Sequence, residues 1–181
     1  FEALQMRAAQ GSGPIPDINL TPTATLSEEL YPNSATYGEL NRLVISSNGV
    51  DENRDGKFDA GVVADDFNLW LIRVDGAFAT QLTNMPGDEL YPRYDPGARL
   101  IAFSSDATGT FQIYTVEVLT GTIRQLTCSP GNKYQPTWSP DGTQLVFSGD
   151  NGGNRDLFIM PADGSALPVP IMTTPADETQ P

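Results

Sequence analysis

The sequence predicts an all-β fold built from repeated four-stranded sheets, and three observations carry that expectation. A block of residues recurs along the 181-residue chain with a period of 44. Each copy holds four short runs rich in Val, Ile, Phe, Tyr and Thr, residue types that suit a pleated, half-buried surface. Turn pairs such as Asp-Gly and Pro-Gly separate the runs, and the chain carries 17 Gly and 15 Pro. Four strands in a repeat of about 40–45 residues is the pattern of propeller blades. The expected architecture is a four-bladed β-propeller of antiparallel blades. One blade cannot bury both of its faces, so blades must stack around an axis. An ordinary β-sandwich is the competing fold, but a long repeat with matching turns is foreign to it.

The clearest copies open at Asp88 and Asn132. With Pro92 placed on Pro136, Tyr94 meets Trp138, and Asp95-Pro96-Gly97 meets Ser139-Pro140-Asp141-Gly142. The second strands are Leu100–Ser104 and Gln144–Ser148, and the third strands place Ile113-Tyr114 on Leu157-Phe158. Leu126-Thr127 and Met172-Thr173 close the two fourth strands. A third copy lies upstream, where Glu28–Pro32 matches Asp88–Pro92. Its remaining strands lie at Leu43–Ser47, Leu69–Gly76 and Ala79–Thr83. Pro32 and Pro92 are 60 residues apart, so this copy holds about 16 extra residues between its second and third strands. Trp70, Tyr114 and Phe158 occupy equivalent positions and are expected in the inter-blade core.

These residues resemble the TolB-like propeller repeat, which is also described as WD40-like. The resemblance rests on Tyr134–Gly142 followed by Leu145–Ser148 and Leu157–Met160. It is strong over 132–164, good over 88–127 and weaker over 29–83, where Tyr37-Gly38-Glu39 replaces the Pro-Asp-Gly turn. It implies the fold, and it implies function only weakly, because this architecture hosts binding modules, protease-gating domains and structural proteins alike.

The expected organisation is a single propeller domain over 1–181: a blade at 29–87 with an insertion at 48–68, blades at 88–131 and 132–174, and a shared blade made of 175–181 plus 1–28. Asp177–Pro181 matches the element that opens a blade, while Ala3–Ala9, Asp17–Thr21 and Ala24–Ser27 supply its remaining strands. Residues 1–10 are also good helix formers, so a short helix competes there. Phe1 follows no Met or signal peptide, which suggests a processed product or an excerpt, and a larger six- to eight-bladed ring is the alternative. The shared blade can close within one chain. It can instead exchange strands between chains, a head-to-tail contact that builds filaments unless the rotation closes.

Charge narrows the function. Lys and Arg number 10 against 23 Asp and Glu, a net charge of −13. Nucleic acid needs a basic footprint, which is missing, and anionic membrane surfaces are disfavoured for the same reason. No apolar run is long enough to span a bilayer as a helix. The absence of His removes imidazole metal sites and His-dependent catalysis. A single Cys removes intrachain disulfides and thiolate clusters.

One motif carries chemistry. The insertion reads Asp51-Glu52-Asn53-Arg54-Asp55-Gly56-Lys57-Phe58-Asp59, a D-x-N-x-D-G-x-x-D loop. Calcium takes six to eight oxygen ligands. Asp51, Asn53 and Asp55 alternate toward one side of a tight loop, Gly56 permits the turn, Lys57 offers its carbonyl, and Asp59 completes the shell. Asp65 or Asp66 would add a further ligand. An EF-hand needs Glu where Val62 stands, so the loop looks instead like the calcium loops of integrin-type blades. A polar surface loop is the plainer reading, since Asp, Asn and Gly are common turn formers.

No catalytic set is apparent, and the chain is expected not to be an enzyme. Cys128 is expected to be a buried or inert thiol. Glu29, Glu89 and Glu178, which recur before the blade proline, are expected as solvated blade-end residues, with a channel or interface role as the alternative. The leading expectation is a calcium-stabilised extracellular or cell-surface structural protein, secreted by a prokaryote and self-associating head to tail. The alternatives are a TolB-like module that binds a protein or peptide, and the propeller of a larger hydrolase, which would need a nucleophile elbow not found here.

Overall fold

The computed structural model describes residues 29–30, 42–51, 63–73, 79–150, 153–179 and 181. Twelve strands among them form three four-stranded antiparallel sheets in chain order. The first holds β1 (Glu29–Leu30), β2 (Arg42–Gly49), β3 (Val63–Arg73) and β4 (Ala79–Gln81). The second holds β5 (Glu89–Tyr94), β6 (Leu100–Ser105), β7 (Gln112–Glu117) and β8 (Ile123–Gln125). The third holds β9 (Lys133–Trp138), β10 (Gln144–Asp150), β11 (Arg155–Pro161) and β12 (Val169–Met172). Each sheet is a meander whose neighbours in sequence are neighbours in space. Among the described residues there is no helix, and so none that could cross a membrane.

The meander gives each sheet two ends. The blade-opening end carries the start of the first strand, the connection between second and third strands, and the link to the next sheet. The turn end carries the tight turn between first and second strands. In the second sheet that turn is closed by Asp95, whose Oδ1 accepts from Arg99 N (2.7 Å) and Leu100 N (2.8 Å). In the third, Ser139 Oγ accepts from Gln144 N at 3.0 Å. The left-handed position of this turn falls on Gly142 (φ 72) in one blade and on Ala98 (φ 52) in the other, one residue beyond Gly97.

Alternation along the strands builds the core between sheets. One face of the first sheet supplies Val44, Leu69 and Leu71, which pack with Tyr94, Ile101, Phe103, Tyr114 and Val116 of the second. The opposite face of the second sheet supplies Ala102 and Ile113 to Leu145, Phe147, Phe158 and Met160 of the third. Stacked rings join adjacent strands within each sheet, Phe103 on Tyr114 (5.7 Å) and Phe147 on Phe158 (5.8 Å). Tyr114 and Phe158 lie in the clusters between sheets, as the repeat predicted, while Trp70 is buried with Ile45, Ile72 and Ala79 of its own sheet.

Two differences stand out. β3 begins at Val63, six residues before the expected third strand, because Val63 pairs with Gly49 beyond an irregularity at Ser47. The third sheet's far face, where Val146, Ile159 and Val169 stand in cross-strand register, leaves Val169 55 % and Met172 49 % exposed. The strands expected within 1–28 lie outside the described residues. Residues 173–179 form no strand. Even so, Glu178 N donates to Arg155 O at 2.7 Å, repeating the bond from Lys133 N to Phe111 O (2.8 Å) that opens the third blade.

Candidate functional site

Among the described residues the repeat places an acid or amide at three blade openings, and its role is the same at each. Asp88 Oδ1 accepts from Phe67 N (3.0 Å), Asn132 Oδ1 from Phe111 N (3.1 Å), and Asp177 Oδ1 from Arg155 N (2.8 Å). Each side chain thus ties the blade it opens to the third strand of the blade before. A threonine completes the joint: Thr83 Oγ1 and Thr127 Oγ1 accept from Leu69 N and Ile113 N, both at 2.8 Å. Short polar residues at these positions satisfy backbone donors that the sheet ladder leaves over.

The next residue varies in charge: Glu89, Lys133 and Glu178. Glu89 is fully buried, not solvated as the sequence suggested, because the joint closes over it. Its Oε2 accepts from Thr83 Oγ1 at 2.9 Å and from the Asn68 amide nitrogen at 3.1 Å, while Oε1 has no hydrogen-bond partner among the described residues. Burial pushes its carboxyl up to about 8; the Thr83 hydrogen bond opposes this, and the charges of Asp66, Asp88 and Asp106 add to it. Lys133 takes the same place in the next blade. It is 2 % exposed and donates from Nζ to Pro130 O (2.8 Å) and Gly131 O (2.9 Å). Burial pulls its ammonium down, partly offset by Asp150. Glu178 is half-buried, with Thr174 Oγ1 donating to its Oε1.

Two residues further along, both inner strands hold a non-glycine residue in the left-handed region, Tyr91 (φ 56) and Gln135 (φ 55). Each precedes a buried proline, Pro92 or Pro136, and pairing to the neighbouring strand shifts register there. Such backbone costs about 1–3 kcal/mol per residue. Beside this station Tyr134 gathers a cluster across the blade junction. Tyr91 meets its ring edge-on at 6.2 Å, Phe111 lies at 5.0 Å, and the Arg155 guanidinium sits 4.9 Å over it. Burial raises the Tyr134 hydroxyl, with Arg155 opposing. The sequence shows the tyrosines but not the station, because a residue before proline ordinarily stays extended.

Of the expected calcium ligands, Asp51 is half-buried just after β2, while Asn53, Asp55, Lys57 and Asp59 lie outside the described residues. Asp65 and Asp66 are exposed on β3, and Asp66 Oδ2 accepts from Gly87 N at 3.3 Å. Among the described residues no three acidic or thiol groups gather as a metal site. Cys128 is exposed rather than buried, since it stands just past β8 on the link to the third sheet.

Consecutive four-stranded meanders packed face to face, the second and third opened by the same polar joint, define a β-propeller. The chain belongs to the TolB beta propeller domain family, whose profile matches residues 63–178. It is similar to a structure described as putative TolB from Agrobacterium tumefaciens, with a TM-score of 0.60 and 21 % identity over 83 % of this chain and 50 % of that one. TolB from Acinetobacter baumannii gives a TM-score of 0.57 and 21 % identity over 75 % and 31 % of the two chains. An oligogalacturonate lyase from Vibrio parahaemolyticus gives 0.57 and 14 % identity over 87 % and 43 %. This chain therefore spans half or less of each of these structures, and the likeness is one of fold. No curated protein sequence gives a significant match.

Proposed function

We propose that this chain is a non-enzymatic TolB-like propeller module that binds a protein or peptide partner outside the bacterial cytoplasm. One observation supports the reading above the others: adjacent inner strands hold Tyr91 and Gln135 in the left-handed region beside the Tyr134 cluster. Strained backbone of this kind gathers at binding and catalytic sites. Tyrosine and arginine, here Tyr91, Tyr134 and Arg155, are the residue types that dominate interface energies. The test is photocrosslinking in a bacterial envelope extract, using the wild-type chain and Tyr134→Ala. A discrete adduct that vanishes in a folded Tyr134→Ala variant supports the reading. An adduct pattern unchanged by the substitution counts against it.

A second reading, favoured by the exposed apolar residues of β12, is head-to-tail self-association in which calcium at Asp51–Asp59 orders the first blade. Val169, Ile171 and Met172 are each about half exposed. The corresponding strand of the second blade, β8, carries the polar pair Arg124-Gln125. Electron microscopy with calcium and with a chelator separates the readings. Filaments that dissolve in chelator favour assembly; single particles in both conditions leave the binding module.

A further inference from the structure

Two blade joints are built on matching five-residue runs, Met85-Pro86-Gly87-Asp88-Glu89 between the first and second sheets and Ser129-Pro130-Gly131-Asn132-Lys133 between the second and third. The backbone turns alike in both, with Gly87 at φ 81 and Gly131 at φ 78. Asp88 and Asn132 accept the same bond from the third strand of the sheet before. The later joint shows what this turn can hold. There the buried Lys133 ammonium donates to Pro130 O (2.8 Å) and Gly131 O (2.9 Å), a cation seated on two carbonyls. The earlier joint has the same turn residues, Pro86 and Gly87, but carries Glu89 where the lysine stands.

That exchange alters the position by two charges, from an ammonium to a carboxylate. Three more acids, Asp66, Asp88 and Asp106, bear on the Glu89 carboxyl, where Asp150 bears on Lys133. All three are held by backbone donors: Asp88 by Phe67 N, Asp66 by Gly87 N and Asp106 by Asp88 N (2.7 Å). Glu89 itself is 0 % exposed. Its Oε2 is taken by Thr83 and Asn68, while Oε1 has no hydrogen-bond partner among the described residues. A buried oxygen left so carries the full cost of its lost hydration. An ionised carboxylate only accepts, so the group that suits this oxygen, among acids and carbonyls, is a cation. Exposed Pro86 and Asp66 place the joint at the surface, within reach of an ion from solvent.

We propose that the joint between the first and second sheets binds one calcium ion at Glu89 Oε1 and the carbonyls of Pro86 and Gly87, in the place that the Lys133 ammonium takes one blade later. Glutamate is one atom shorter than lysine, and the ion stands where the ammonium would. Its double charge restores what the exchange of lysine for glutamate removes. The ligands are hard oxygens, which calcium takes, whereas magnesium gives up its water too reluctantly for a buried joint. One carboxylate and two carbonyls make the set, which is why no group of three acids marks it. The ion also offsets the burial and the neighbouring acids that raise the Glu89 carboxyl. The site rests neither on the protein-binding reading nor on the Asp51–Asp59 loop. The probe is calcium alone, titrated by calorimetry at about pH 8, where Glu89 ionises. It is added to the Asp55→Ala chain, so that the loop does not contribute. One saturable site should remain, and calcium should raise the melting temperature over that in chelator. Adding Glu89→Gln should weaken the site at least about tenfold, the scale on which ligand charge tunes calcium affinity, while a cooperative melt shows that the variant folds. In the wild-type chain the same substitution should lower the number of bound ions by one. Equal calcium affinity with and without Glu89→Gln, or no saturable binding to the Asp55→Ala chain, would overturn the proposal.

Discussion

Glu89→Gln should stabilise the fold increasingly as pH rises, which is the reverse of what removing a native carboxylate ordinarily does. The wild-type carboxyl has an ordinary value of 4.5 and is pushed to about 8 in the fold, mainly by burial. Between those limits the unfolded chain has lost the proton while the folded chain keeps it. Stability is therefore fully present below about pH 4.5 and falls as pH rises toward 8, by about 1.4 kcal/mol per pH unit. At pH 7 the accumulated cost is about 3 kcal/mol, and at pH 8 it is about 4 kcal/mol. Glu89 is fully buried, so solvent does not screen this penalty away. Glutamine keeps an acceptor for Thr83 and Asn68 and cannot ionise. The two proteins should be unfolded in urea at about pH 5, 6, 7 and 8, and the difference in unfolding free energy plotted. Any fixed penalty of the substitution is the same at each pH, so the slope carries the test. Parallel stability curves for wild type and variant would refute the reasoning, since they would mean that Glu89 titrates alike folded and unfolded.

The turns, the joints and the proposed calcium loop each make a further outcome measurable. Ala98→Gly should raise stability by about 1 kcal/mol, because glycine relieves the left-handed strain at φ 52; an unchanged melting temperature would contradict it. Gly131→Ala should cost at least about 3 kcal/mol, since its φ is 78 and the new Cβ would meet Asp150 O at 1.9 Å; a silent substitution in thermal melts would mean the joint is open. If the Asp51–Asp59 loop binds calcium with a dissociation constant near 10⁻⁴ M, millimolar calcium should add about 1.4 kcal/mol, or roughly 3–6 °C in melting temperature. Asp55→Ala should abolish that increment, and a chelator response equal to the wild type's would dismiss the assignment.

The repeat is legible in the sequence because it is written in side chains whose burial follows from chemistry. Leu145 and Phe147, or Ile101 and Phe103, alternate on one sheet face and have no other stable place. The polar joint is half legible: Asp88, Asn132 and Asp177 recur in register, and a short acid or amide before a strand is a familiar donor trap. The position after each of them is hidden from the sequence for a definite reason. Glutamate in sequence signals solvent, yet the fully buried Glu89 fills the place that Lys133 fills one blade later. Opposite charges can share one buried position only if the position itself supplies neither a fixed anion nor a fixed cation. It offers carbonyls to Lys133, from Pro130 and Gly131, and hydroxyl and amide donors to Glu89, from Thr83 and Asn68. The neighbouring side chain changes with the charge, Asn68 in one blade and Gln112 in the next. Gln112 turns its Nε2 to Ser129 O and Gly131 O and leaves its Oε1 to Thr127 Oγ1. The joint is therefore a socket whose polarity follows its surroundings: backbone carbonyls of the blade link around Lys133, and the Thr83 hydroxyl and Asn68 amide around Glu89. Exchanging Glu89 for lysine would fail unless Asn68 and its carbonyl neighbours changed with it.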